Sequence, residues 1–274
     1  MQSMTVNIRQ HLTDLSTPLV MGILNVTPDS FYSGSRAMTE EAVLRQASQL
    51  IADGADIIDV GACSTRPGST PATADEEMRR LDMALPVLRR QWPDIPLSID
   101  TFRADVARRC VEQLGADIIN DIGGGEMDKA MFGTVAELKV PYVLTHSADL
   151  TSSSTPVEDV CLWLAQRLDE LHLLGVADVL VDPGFGFGKT LEQNFELMSR
   201  LSCLQALQAP LLVGISRKSM IWRTLDCAPE QSLNGTTVLN TIALQAGANI
   251  LRVHDVRAAR ETISLYNACF SHSA

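Results

Sequence analysis

Lysine is scarce in this chain: of 22 basic residues only Lys129, Lys139, Lys189 and Lys218 are lysines. Two of them stand beside glycine- or serine-rich turns, in GFGFGKT and GISRKS, where a cation can meet a phosphate. Positive charge as a whole is short, with 33 acidic residues giving a formal net charge of −11. Such a chain has no basic stripe for nucleic acid or an anionic membrane, so small-molecule partners are expected. No apolar run approaches the roughly 18 to 20 residues that cross a bilayer. The opening MQSMTVNIRQHLTDL has no hydrophobic stretch before a cleavage-like site, so the expected location is the cytoplasm. Cys63, Cys110, Cys161, Cys203, Cys227 and Cys269 lie far apart and form no CxxC, so neither a disulfide framework nor a cysteine zinc site is suggested and reduced thiols are expected. The histidines show no HExxH or other close metal spacing.

What is present is core material: 46% of the 274 residues are hydrophobic and 20% charged. Short apolar runs alternate with amphipathic stretches, the pattern of βα units and a parallel sheet. The runs are 19–26, 56–61, 96–101, 117–121, 141–146, 179–184, 210–216 and 249–255. Helical patterns cover 39–53, 74–91, 103–114, 157–174, 230–246 and 256–270. An internal echo, GADIIDV (54–60), GADIIND (115–121), GVADVLVD (175–182) and GANILRVHD (247–255), joins a helix-ending glycine to a strand each time. Together these predict an α/β fold, a (β/α)8 TIM barrel forming a single domain, with 1–17 as an N-terminal extension and 18–270 as the barrel. An open doubly wound sheet is the alternative.

In a barrel the reactive groups gather at the C-terminal strand ends, and polar residues inside apolar runs are costly unless used. Those ends carry Asn25, Asp59, Asp100, Asn120 with Asp121, His146, Asp182, Ser216 to Lys218, and Arg252 with His254. Alone, a strand-end Asp more often caps a helix or pairs with an arginine than touches a ligand, and His146 reads as a satisfied core histidine. Together, at least five are expected in one site. Carboxylates plus an amide suit the edge of a pterin or purine, while Lys218, Arg252, His254 and Arg66 suit phosphate oxygens. The implied ligand is a nitrogenous ring bearing phosphate. PGFGFGKT (183–190) mimics a nucleotide-hydrolase loop, GxxxxGK[ST], but places Pro183 at the first glycine. Its glycines are read instead as a tight turn bringing Phe187 to the ligand. Segments 27–36 and 62–70, rich in Gly, Pro, Ser and Thr, are expected to be rim loops carrying Phe31 and Arg66.

The segments GILNVTPDSF (22–31), STRPG (64–68), SIDT (98–101), IND (119–121), DPGFGFGK (182–189), GISRKS (214–219) and RVHDV (252–256) resemble, in order, those of the dihydropteroate synthases. That family condenses a pterin pyrophosphate with p-aminobenzoate in folate synthesis. The resemblance implies pterin contacts from Asp100, Asn120, Ile122, Asp182 and Lys218. It implies pyrophosphate contacts from Asn25, Thr65, Arg66, Arg252 and His254, with Asn25 also holding Mg2+. Phe31, Thr65, Pro67, Phe187 and Ser219 would shape the p-aminobenzoate pocket, where sulfonamides compete in the family, and Lys218, Arg252 and His254 would be catalytic. Departures fall after strand five, where Thr145-His146-Ser147 replaces a Met-His-Met-like run, in loop one, where Ser33-Gly34 replaces Asp-Gly, and at Cys63, where Glu is common. A pterin-dependent methyltransferase acting with a corrinoid partner and a non-catalytic pterin-binding protein are the alternatives. The family is commonly dimeric, and apolar Val238, Leu239, Ile242, Leu244, Ile263 and Leu265 in the last two helical patterns fit a homodimer.

Overall fold

The computed structural model describes residues 4–27, 39–63 and 71–270. An antiparallel hairpin of β1 (Thr5–Ile8) and β2 (His11–Asp14) comes first. Then follow β3 (Leu19–Asn25), β4 (Ile57–Gly61), β5 (Leu97–Asp100), β6 (Ile118–Asp121), β7 (Tyr142–Thr145), β8 (Val179–Asp182), β9 (Leu212–Val213) and β10 (Ile250–Val253). Between and after them run α1 (Glu40–Ala52), α2 (Ala74–Gln91), α3 (Ala104–Leu114), α4 (Met131–Leu138), α5 (Pro156–Leu173), α6 (Leu191–Ser199), α7 (Ser219–Thr224), α8 (Leu233–Gln245) and α9 (Val256–Phe270). The sheet is 8-stranded and parallel, in the order β8-β7-β6-β5-β4-β3-β10-β9. A parallel bridge between Val181 and Leu211 joins its two ends, so the sheet closes as a (β/α)8 barrel rather than staying open. No helix among the described residues is long and apolar enough to cross a membrane.

The echo glycines do what their position requires. Gly54, Gly115, Gly175 and Gly247 take φ of +100°, +74°, +85° and +97°, a region that side chains with a Cβ avoid. Each ends a helix and turns the chain into the next strand.

Strand alternation sorts residues into two cores. Val20, Leu24, Ile58, Val60, Ile99, Ile119, Leu144 and Val181 face the helices and join one large cluster. Met21, Ile57, Ile118, Val143, Leu180, Leu212 and Ile250 instead form an inner layer at the N-terminal end of the barrel. Two residues further along the same strands, the inward positions become Asp59, Asn120, Asp182 and Arg252. An apolar floor thus lies beneath a polar mouth.

The hairpin completes that floor. Val6, Ile8 and Leu15 pack into the inner cluster, so residues expected to be a mere extension plug the barrel from below. Burying a side chain such as Ile8 stabilises by about 1.5–3 kcal/mol. Polar ties hold it there: Asn7 N–H donates to Asp178 Oδ1 at 2.8 Å and Arg9 Nη1 to the Pro93 carbonyl at 2.6 Å. Its turn uses Arg9 (φ 56°) and Gln10 (φ 64°) in place of Asn-Gly or Asp-Gly, which is why the hairpin carries no conventional sequence mark.

The six expected helices are present within a few residues, while α4, α6 and α7 had no counterpart among the expectations. Spanning 8, 9 and 6 residues, they are too short to build a 3.6-residue rhythm. For α6 a readable mark existed, the capping box in which Thr190 and Gln193 exchange side-chain and backbone hydrogen bonds.

Candidate active site

The polar layer is organised around one guanidinium. Arg252, on β10, donates from Nε to Asp59 Oδ2 at 2.7 Å and from Nη2 to Asp100 Oδ2 at 2.5 Å. Asp59, fully buried on β4, also accepts from Ser98 Oγ at 2.6 Å and Asn120 Nδ2 at 3.1 Å. Side chains of the adjacent strands β4, β5 and β6 and of β10, on the far side of β3, therefore converge on a single network. Burial pushes the Asp100 carboxyl up to about 7; the charges of Asp59 and Glu77 add to that rise, and Arg252 opposes it. For Arg252 burial works against the charge, but Asp59 and Asp100 outweigh it and hold the group above its ordinary value. Arg252 stays cationic while Asp100 titrates near neutrality.

Asp182, at the end of β8, faces the same space. It accepts from Gly184 N–H at 2.8 Å, and burial raises its pKa despite the opposing charges of Lys218 and Arg252. Asp182 and Arg252 both border Gly214 at ordinary contact distance. A Cβ there would stand 3.6 Å from Asp182 Oδ2 and 3.7 Å from Arg252 Cβ. Lys218, just before α7, donates to the Phe185 carbonyl and lies 4.6 Å from the centre of the Phe187 ring. Burial lowers its pKa to about 8, with Asp182 opposing and Arg252 adding to the effect.

On the opposite side, Asn25 Oδ1 and Asp100 Oδ2 both border Gly61, at 3.2 and 3.8 Å from where its Cβ would be. His254 is fixed by Ser216, whose Oγ accepts from the His254 backbone N–H at 3.2 Å and sits 3.1 Å from Nδ1. A cavity of about 770 Å³ opens there, lined by Asn25, Arg217, His254 and Asp255 with residues of α1 and α9. Ile122 is buried just beyond β6, and Ser219 opens α7. Phe31, Thr65, Arg66 and Pro67 lie outside the described residues. Among the described residues no group of three His, Cys, Asp or Glu could hold a metal ion.

Two strand-end residues turn away from the mouth. Asp121 accepts from Gly123 and Gly125 N–H and from Tyr142 Oη, at 2.7 to 2.8 Å, behind the sheet. His146 packs edge-on to Trp163, with ring centroids 5.0 Å apart, and its Nδ1 meets Lys189 Nζ at 3.1 Å. Both take the structural reading. Conversely, Asp59 and Ser98 belong to the centre, although no ligand role was assigned to either from sequence. For Asp59, its position two residues after the inward Ile57 was the available sign.

Comparison with known proteins follows this geometry. The family model described as pterin binding enzyme matches residues 21–254. A dihydropteroate synthase of Clostridium beijerinckii is 40% identical over 250 residues, 89% of this chain and 92% of that protein. A Xanthomonas albilineans dihydropteroate synthase solved with 4-aminobenzoic acid superposes with a TM-score of 0.90 at 36% identity, covering 100% of both chains. The same organism's enzyme in complex with 7,8-dihydropteroate gives 0.88 at 33% identity, over 99% of this chain and 100% of that one.

Proposed function

The chain belongs to the pterin-binding enzymes and, within them, to the dihydropteroate synthases, and on that premise we propose how its own residues carry the reaction. The arylamine nitrogen of p-aminobenzoate attacks the methylene of 6-hydroxymethyl-7,8-dihydropterin pyrophosphate. The C–O bond breaks with its electron pair leaving on pyrophosphate, and the new ammonium loses a proton to give 7,8-dihydropteroate. One observation carries the assignment of roles. The buried carboxylates Asp59 and Asp182, the half-buried Asp100 and the cations Lys218 and Arg252 meet inside one barrel mouth.

Asp182 and Asp100 accept hydrogen bonds from the N–H groups along the pterin edge, Asn120 supplies an amide, and Lys218 donates to ring oxygen and nitrogen. Ile122 packs on the flat face. A carboxyl titrating near 7, such as Asp100, can serve as donor or acceptor according to the ring's protonation. Arg252 shares its fork between Asp59, Asp100 and the departing pyrophosphate, with His254 and Asn25 at its far end beside the cavity. An arylamine is neutral at pH 7, so Phe187 and Ser219 need only orient it.

Magnesium fits Asn25 in one way. A single neutral amide oxygen is too little for an all-protein cage, whereas Mg2+ readily keeps waters and takes most of its ligands from substrate phosphates. When bound with the pyrophosphate it would neutralise charge on the leaving group. We further place the chain in the cytoplasm as a homodimer. The exposed apolar side chains Leu233, Val238, Ile242, Leu265 and Phe270 on α8 and α9 support that assembly.

The activity is tested by mixing the purified chain with pterin pyrophosphate, p-aminobenzoate and Mg2+. Pyrophosphate and dihydropteroate should appear one for one, and neither from one substrate alone. Pyrophosphate release without the arylamine, or none with both, would defeat the assignment.

A further inference from the structure

Lys189 is the lysine of the GKT sequence that mimics a phosphate-binding loop, yet its ammonium is turned into the protein. Nζ lies 3.0 Å from the Gly184 carbonyl, 3.0 Å from the Phe187 carbonyl and 3.1 Å from His146 Nδ1, with the His146 carbonyl at 3.4 Å. An ammonium has three N–H donors, and the acceptors around it are neutral. Acceptance at Nδ1 places the His146 proton on Nε2, so the ring is neutral. The lysine therefore ties the turn after β8 to the segment after β7 without any direct carboxylate partner.

The tie holds a turn that has little freedom elsewhere. Gly184 takes φ +69°, and a Cβ there would fall 1.8 Å from the His146 carbonyl oxygen; at Gly188 it would fall 2.2 Å from that of Ala148. Gly186 N–H donates to Asn194 Oδ1 at 2.7 Å, joining the turn to α6. Two groups leave this turn toward the mouth: the Phe185 carbonyl, which receives Lys218 Nζ, and the Phe187 ring, 4.6 Å from the same nitrogen. Taking an ammonium out of water among neutral acceptors is costly, so the four contacts at Nζ are not explained as a gain in stability alone.

We propose that Lys189 is a positioning residue for the arylamine half of the site: by gathering the Gly184 and Phe187 carbonyls and His146 Nδ1, it sets the curve of 184–188 and hence the place of the Phe187 ring against Lys218. The inference rests on the reading of Phe187 as part of the p-aminobenzoate pocket. Burial, with the charge of Lys218 acting the same way and that of Asp182 opposing, lowers the Lys189 pKa to about 7, as expected of an amine drawn out of water.

The test uses Lys189→Met and Lys189→Arg, each alone and combined with Phe187→Ala, with steady-state kinetics, calorimetric pterin affinity and thermal melting. Lys189→Met should raise KM for p-aminobenzoate about tenfold or more while pterin affinity stays within about twofold, the response to a small misplacement of a positioning group. Lys189→Arg, which keeps donors at the same place, should recover part of that loss. In the Phe187→Ala background Lys189→Met should add little, because both changes act through one ring. A wild-type KM in Lys189→Met, equal losses of pterin and arylamine binding, effects that add to Phe187→Ala, or unfolding of both Lys189 variants would each overturn the proposal. A wild-type KM in Phe187→Ala alone would overturn the pocket reading beneath it, and is distinguishable because the Lys189 variants are not involved.

Discussion

Arg252 is the counter-ion of Asp59 and Asp100, and the proposed function gives it a second duty toward the pyrophosphate; substitution separates the two. Arg252→Ala should cost about 2–4 kcal/mol of transition-state stabilisation, or roughly 30- to 1000-fold in kcat/KM. It should also destabilise the fold by about 3–5 kcal/mol, since it strands buried carboxylates. Urea denaturation beside kinetics reads both; a variant of unchanged stability would mean the carboxylates have other partners. Lys218 sets a pH response. Below about 8 it carries its proton, and above that value the ligand-free chain loses the charge, so kcat/KM should fall as pH rises through about 8. Lys218→Arg, cationic throughout, should lack that falling limb; the same limb in both would assign it elsewhere. At this scale the inventory of polar strand ends was legible, because polar groups inside apolar runs are expensive. Direction was less so. Asn120 and Asp121 are adjacent and cannot both point into the barrel, yet only the ladder showed that Asn120 faces inward while Asp121 binds Tyr142.

The elements divide into a floor that holds and a mouth that works. Ile8 of β1 lies in the inner apolar cluster at the opposite end from Arg252, so Ile8→Ala should cost about 2–5 kcal/mol and leave kcat/KM per folded molecule unchanged. Denaturant titration and turnover measured together check this, and lost turnover in the folded fraction would tie the floor to the mouth. The barrel strands were legible as short apolar runs, buried on both faces, and the six long helices because each repeats its period several times. The hairpin was not, since Arg9 and Gln10 adopt positive φ without the glycine or asparagine that usually announces it. The short α7 escaped for a related reason: its 6 residues are fixed by tertiary packing of Met220 and Ile221, not by a local rhythm.

For the whole molecule, the closed barrel was legible in the eight apolar runs alternating with helical patterns, a rhythm supported by the glycine-to-strand echo, whose φ values are positive at each of the four sites. Assembly is written less clearly, because an exposed apolar side chain on a helix has the same sequence signal as a buried one. Val238 is 50% exposed and Leu265 70% exposed, whereas Leu244 and Ile263 are buried. Sedimentation should show a dimer for the native chain and a monomer for Ile242→Glu; a native monomer would remove the dimer proposal. The central claim is that the convergent strand ends grip the pterin itself. Calorimetric titration of a pterin into the native chain and into Asp182→Asn, with melting curves in parallel, tests it directly. Affinity should fall about 10- to 100-fold on loss of a charge-assisted pair while the melting temperature holds. Unchanged affinity, or a melting temperature lowered as far as a core deletion lowers it, would contradict the claim.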